Sequence, residues 1–274
     1  MKITEIKHVN NRNVTNNTNT SNVTYTDIKN NNNNKTKNIK SNKNISNNFI
    51  YNPNDKTIYR GIIHKIAFFI ACIVTLATII VMSVLRYFEW SVMLYCSVQI
   101  MQFGCSAMYH LYPVNNDVKK TLRNFDHMAI FFLISGTQTC CVQMLPRKVE
   151  GVKTSVFLSL TWALCAIGTL RVFLLKELDL YCILDLCIYL CQGLCILLFK
   201  NIFLSFYLFD LVLLFLGGAF YCVGAIIYGI EKPNPYPHVF GFHEIFHVCT
   251  LLGNGCFGIA ILKSYFIKYY MINQ

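Results

Sequence analysis

From Ile62 onward the chain carries seven apolar blocks, at about residues 62–85, 91–112, 125–146, 154–175, 180–199, 202–230 and 241–267. Each is at or above the ~20 residues that a helix needs to cross roughly 30 Å of hydrocarbon. Backbone N–H and C=O groups in lipid must find partners inside the segment, which favours helices over strands. Residues 154–199 cannot form one span, because a helix of that length would be roughly 70 Å long, more than twice the membrane thickness. The expected fold is therefore all-α: a polytopic membrane protein with a seven-transmembrane-helix bundle over residues 58–267 and a short C-terminal end at 268–274.

Composition agrees with that expectation and removes an alternative. Only 14% of residues are charged and 54% are apolar or aromatic, against about 25% charged in an average soluble domain. The net charge of +11 raises the question of nucleic acid, but residues 1–60 hold ten Lys/Arg against three Asp/Glu, and the apolar remainder is only weakly basic. No nucleic-acid partner is expected. Residues 1–57 form a tract of Asn, Lys, Thr and Ser, with Asn30 to Asn34 unbroken, and are expected to be a disordered tail because they hold too few apolar side chains to offset chain entropy. Sequons such as Asn22-Val23-Thr24 are expected by chance in so Asn-rich a segment. The first long apolar run begins near Ile62, so no signal peptide is expected.

Lysine and arginine counts set the expected orientation. Threading seven spans places seventeen of them on the side of the N-terminus and seven on the other. The tail decides this count, and it predicts a cytosolic N-terminus. All thirteen cysteines, from Cys72 to Cys256, fall within apolar stretches. Their odd number argues against a complete disulfide set. Cys187, Cys191 and Cys195 form an i, i+4, i+8 stripe, read here as small polarizable residues at helix contacts rather than as a soft-metal site.

Ionisable groups inside membrane spans are costly, and each is a functional candidate by default. His64 opens the first span, His110 closes the second, Asp126 and His127 open the third, and His243 and His247 open the seventh. Antiparallel threading brings all of these to one membrane level. His243 and His247 stand four residues apart, so one helix face presents both imidazoles at a spacing that zinc accepts. His110 supplies a third ligand, with Ser106 one turn before it on the same face. Three neutral imidazoles leave an open coordination position of the catalytic zinc type, with Asp126 placed as the proton acceptor. His64 and His127 lie at helix ends, where an imidazole facing headgroups or water is the expected reading.

Two motif matches carry less weight. His243 to His247 fits H-E-x-x-H, but Glu244 lies about 100° around the helix from His243 and is expected to face away from the metal. Gly253 to Gly258 fits G-x-G-x-x-G inside an apolar span with no preceding strand, and is read as helix-packing glycines.

Together these segments resemble the hemolysin III proteins within the progestin and adipoQ receptor (PAQR) superfamily. The resemblance rests on Arg60-Gly61-Ile62-Ile63-His64, Ser106-Ala107-Met108-Tyr109-His110, Phe125-Asp126-His127-Met128-Ala129-Ile130, Ser135-Gly136-Thr137-Gln138-Thr139 and Pro235 to His247. It implies a seven-helix fold and a zinc held by His110, His243 and His247, with Asp126 and Ser106 beside it. One departure falls in the third span: where the family has Gly-Thr-Tyr-Thr-Pro, this chain reads Gly136-Thr137-Gln138-Thr139-Cys140, without the aromatic and the proline. The Asn-rich tail has no counterpart in the family. Three function classes follow. The first is a zinc-dependent lipid amidohydrolase of the ceramidase kind, with membrane lipids, sphingolipid or another acyl-chain compound, as substrate. The second is a pore-forming cytolysin that acts as an oligomer, although no amphipathic pore-forming segment is visible. The third is a membrane receptor, although the C-terminal end offers no evident signalling module.

Overall fold

The computed structural model describes residues 57–112, 114–145, 151–174 and 181–274, and within these it is all-helical. The long helices are α1 (Ile62–Leu85), α2 (Trp90–Leu111), α3 (Asn116–Gln143), α4 (Gly151–Leu174) and α5 (Tyr181–Leu194). A 3₁₀ turn at Cys195–Leu198 and the one-turn helix α6 (Lys200–Phe203) lead to α7 (Leu208–Ile230) and α8 (Phe242–Ile272). The helices from Ile62–Leu85, Lys153–Leu174, Leu208–Ile230 and Phe242–Ile272 are long and apolar enough to cross a membrane. The expected tail falls almost wholly outside the described residues.

Three boundaries differ from the hydropathy reading, each for a local reason. The third helix starts at Asn116 rather than near 125, because the Asn115 side chain accepts a hydrogen bond from Val118 N at 2.9 Å and Asp117 sits in the first turn. Both favour a helix start in polar sequence that hydropathy does not see. The block at 202–230 is not one helix. It breaks between Phe203 and Leu208, where the Ser205 hydroxyl donates back to Asn201 O at 2.6 Å and Tyr207 is extended. No glycine or proline marks this turn. The last helix continues past 267 to Ile272, held there by Lys268, whose ammonium reaches Glu89 at 2.7 Å and Gln143 O at 3.2 Å.

Sequential helices pack side by side, α1 on α2, α2 on α3, α3 on α4 and α7 on α8, while α1 and α3 also meet α8. Gly217 and Gly253 let α7 and α8 approach closely, since a Cβ on Gly253 would lie 3.0 Å from Gly217 O. Gly253 thus packs helices as expected, whereas Gly255 faces open space. Ile66, Phe69, Ile70 and Ile73 of α1 and Val212 and Phe215 of α7 are exposed, apolar faces suited to lipid rather than water.

A buried polar network ties α3, α4 and α5. The Gln138 amide donates to Gln192 O at 2.8 Å and Gly193 O at 3.1 Å, and its oxygen accepts from the Thr161 hydroxyl. Gln192 in turn donates to Ser135 Oγ at 2.8 Å and Phe131 O at 3.1 Å. The residue that departs from the family pattern is thereby the hub of this network, and α3 runs through it without a break. Cys187 and Cys191 are exposed and Cys195 is buried, so the cysteine stripe does not converge on a buried centre.

Candidate metal centre

Four helices deliver the site. The first turn of α1 carries His64, the last two turns of α2 carry Ser106 and His110, α3 carries Asp126, and the first two turns of α8 carry His243 and His247. The parallel run of α1, α3 and α8 against antiparallel α2 puts these positions at one end of the bundle.

One ligand nitrogen from each of His110, His243 and His247 lies within 4.8 Å of the others. The Nε2 atoms of His110 and His243 stand 3.2 Å apart, and Asp126 Oδ2 lies 3.7 Å from His110 Nε2. His110 and His247 are buried, while His243 stays partly accessible. The donors fit a cation. His247 Nδ1 is buried with no hydrogen-bond partner among the described residues, and leaving a buried polar atom so is costly. Three imidazoles converging on one point are a suitable set of donors for a divalent transition metal.

His64 lies in the cluster without joining the ligand set. Its ring stacks on His247 with centroids 3.8 Å apart and planes 15° from parallel. Its Nδ1 is 2.7 Å from Ser106 Oγ and its Nε2 is 3.3 Å from Thr250 Oγ1, so both nitrogens are engaged. Ser106 is accordingly held by His64 and stands close to Asp126. Thr250 donates to His247 O at 2.7 Å, which locks the turn that carries the second α8 histidine.

Glu244 turns away from the three histidines, as the helical period requires. It is fully buried. One carboxylate oxygen accepts from Gly241 N at 2.8 Å and closes the first turn of α8. The other accepts from the Thr57 hydroxyl and faces Arg60 Nε at 3.6 Å. Thr57 is 4% exposed and is held against α8 by this contact. Neither Thr57 nor the Glu244 anchorage was legible beforehand, because their partners are 187 residues apart.

His127 shares the level expected of it but not the site. Its Nδ1 faces Asp185 Oδ2 at 3.5 Å, and Asp185 also pairs with Arg171. The signal for this second cluster was present in the sequence, since Arg171 and Asp185 are the two charges that interrupt the fourth and fifth blocks at the same end.

Helices long and apolar enough to cross a membrane, with a buried three-histidine cluster, point to a multi-pass membrane protein with a candidate metal site. The model of the haemolysin-III related family matches residues 54–257, and the chain belongs to that family.

Proposed function

We propose that this protein is a seven-span membrane hydrolase that uses a zinc held by His110, His243 and His247 to cleave a lipid amide of the ceramide type. The observation that carries the reading is the convergence of three imidazole donors with a carboxylate 3.7 Å from one of them at one end of a helical bundle. When bound, zinc supplies a Lewis acid and makes water a nucleophile at neutral pH. Asp126 would hold the proton released by the attacking water and could return it to the leaving amine. Ser106, fixed by His64, offers its hydroxyl to the substrate carbonyl. The partly accessible His243 marks the side from which a headgroup reaches the site, while acyl chains lie between the helices.

Four helices long and apolar enough to cross a membrane do not by themselves require seven crossings, but α2, α3 and α5 each run alongside a longer apolar neighbour. Their polar residues face inward: Gln99, Gln102, Asn124, Asp185 and Gln192 are all buried. The lysine and arginine count favours the N-terminus, and with it the histidine end, on the cytosolic side. Tags at the two termini, probed after selective permeabilisation, should report opposite faces.

The decisive experiment is turnover of labelled ceramide and labelled phospholipid by the purified protein. Asp126→Asn should keep the metal and the fold and lose roughly 10²- to 10⁴-fold in turnover. Leakage from vesicles without cleavable lipid, undiminished in His243→Ala, would establish the cytolysin in place of the enzyme. Absence of any product, together with specific ligand binding, would establish the receptor.

A further inference from the structure

A strap enters the site from the amino-terminal side and ends on a candidate ligand. Residues Thr57 to Gly61 run along the segment before α8, where Ile58 N donates to His238 O at 3.0 Å and Tyr59 N to Val239 O at 3.4 Å. The strap then turns through Gly61, whose φ of +86° places it in the left-handed region that favours glycine. Gly61 lies directly on α2: a Cβ built there would sit 2.6 Å from His110 Cβ and 3.0 Å from Leu111 Cγ. The strap is therefore a backstop for the His110 side chain.

Glu244 is what holds the strap. Its two carboxylate oxygens take the Thr57 hydroxyl, the Arg60 guanidinium and the Gly241 amide, joining the strap to the first turn of the helix that carries His243 and His247. We infer that Glu244, the glutamate of the H-E-x-x-H string, is a positioning residue. It clamps the Thr57–Gly61 strap so that Gly61 presses His110 toward His243 and His247, setting the metal affinity of a site that it does not touch.

The physics favours a clamp over a base. A fully buried carboxylate whose two oxygens each accept a hydrogen bond, from Thr57 and from Gly241 N, and which faces the Arg60 guanidinium at 3.6 Å, is engaged as an acceptor on the strap side. Groups that orient metal ligands from behind typically change metal affinity by roughly 10- to 100-fold when removed.

The inference rests on the metal reading above, and its test separates the two. The full-length protein in detergent is titrated with zinc against a chromogenic chelator, and amide exchange is followed at Ile58 and Tyr59. Glu244→Gln should still fill the site at saturating zinc but bind roughly 10- to 100-fold more weakly, with faster exchange at both amides. Gly61→Ala should weaken zinc with Glu244 intact, and Arg60→Lys should restore most of the affinity lost in Arg60→Ala. In cobalt-loaded Glu244→Gln the d–d absorption should shift, a signature of altered ligand geometry that a purely stabilising role would leave alone. If Glu244→Gln does not fold, Thr57→Val deletes one hydroxyl of the clamp and carries the same measurements. Unchanged zinc affinity in Gly61→Ala and in the clamp variant overturns the inference, as does unchanged exchange in the clamp variant. A wild type that binds no zinc overturns the proposed function instead, and the clamp is then judged on the exchange alone.

Discussion

The two ends of the bundle are both polar and both buried, yet they are built on opposite plans. At the end where α1 and α8 finish, Glu89 accepts from Tyr87 OH and Ser91 Oγ at 3.1 Å each and from Lys268 Nζ at 2.7 Å. Tyr265 OH donates to Tyr87 O at 2.8 Å. Burial, with the Glu89 carboxylate beside it, pushes the Tyr87 phenol up to about 12, so it remains a donor throughout the neutral range. Two buried carboxylates there meet lysines, Glu89 with Lys268 and Asp210 with Lys263. At the end where α1 and α8 begin, imidazoles face imidazoles, one ring nitrogen has no partner among the described residues, and the carboxylate of Asp126 stands beyond hydrogen-bond distance from His110. A satisfied network fastens helices, whereas an incomplete one leaves room for a ligand.

The largest effects should separate the ends cleanly. His243→Ala and His247→Ala are expected to reduce zinc from about one per chain to background, and His110→Ala to weaken it strongly, because two imidazoles make an incomplete site. Glu89→Ala and Lys268→Met should leave the zinc content unchanged. Mass-spectrometric metal analysis of protein purified without chelators checks both halves, and zinc loss in the Glu89 variant would dissolve the contrast.

Stability should respond the other way round. Glu89→Ala removes the acceptor of three donors and leaves Lys268 without its anion, a change expected to cost about 2–3 kcal/mol after allowance for the partial exposure of the lysine. Thermal unfolding in detergent, read against wild type with the same zinc content, measures it. His243→Ala, whose ring is partly accessible and whose nearest polar neighbour is another histidine, should cost the zinc-free protein less than Glu89→Ala.

A smaller effect is expected between the two ends. Gln138→Leu should cost about 1–3 kcal/mol, since it strands the Thr161 hydroxyl and withdraws the donor shared by the Gln192 and Gly193 carbonyls. Zinc content should not move. Unaltered melting would mean that these groups find other partners, and the contrast between fastening and binding networks would then hold for the ends alone.

The sequence made one end far more legible than the other, for a physical reason. Histidine and aspartate inside an apolar run are conspicuous, and helical period with antiparallel threading suffices to gather His64, His110, Asp126, His243 and His247. The Glu89 end drew no notice because its members sit at block edges, where charge is ordinary, and Glu89 meets Lys268 across 179 residues. The break between α6 and α7 was hidden for a related reason, as Leu204 to Tyr207 keep the hydropathy of a helix while the backbone turns. Hydropathy weighs side chains and is blind to where the backbone stops.

The smallest effect tests the one constellation that the comparison sets aside. Cys187 and Cys191 lie one helical turn apart on α5 and are exposed, so they neither fasten helices nor enclose a ligand. Surface substitutions away from such features typically stay within about 0.5 kcal/mol, and an alanine at either position keeps the helix propensity and the apolar face. The double variant Cys187→Ala, Cys191→Ala should therefore melt like the wild type and carry the same zinc. A drop in metal content would move α5 into the metal chemistry, and neither end of the bundle would then account for the binding alone.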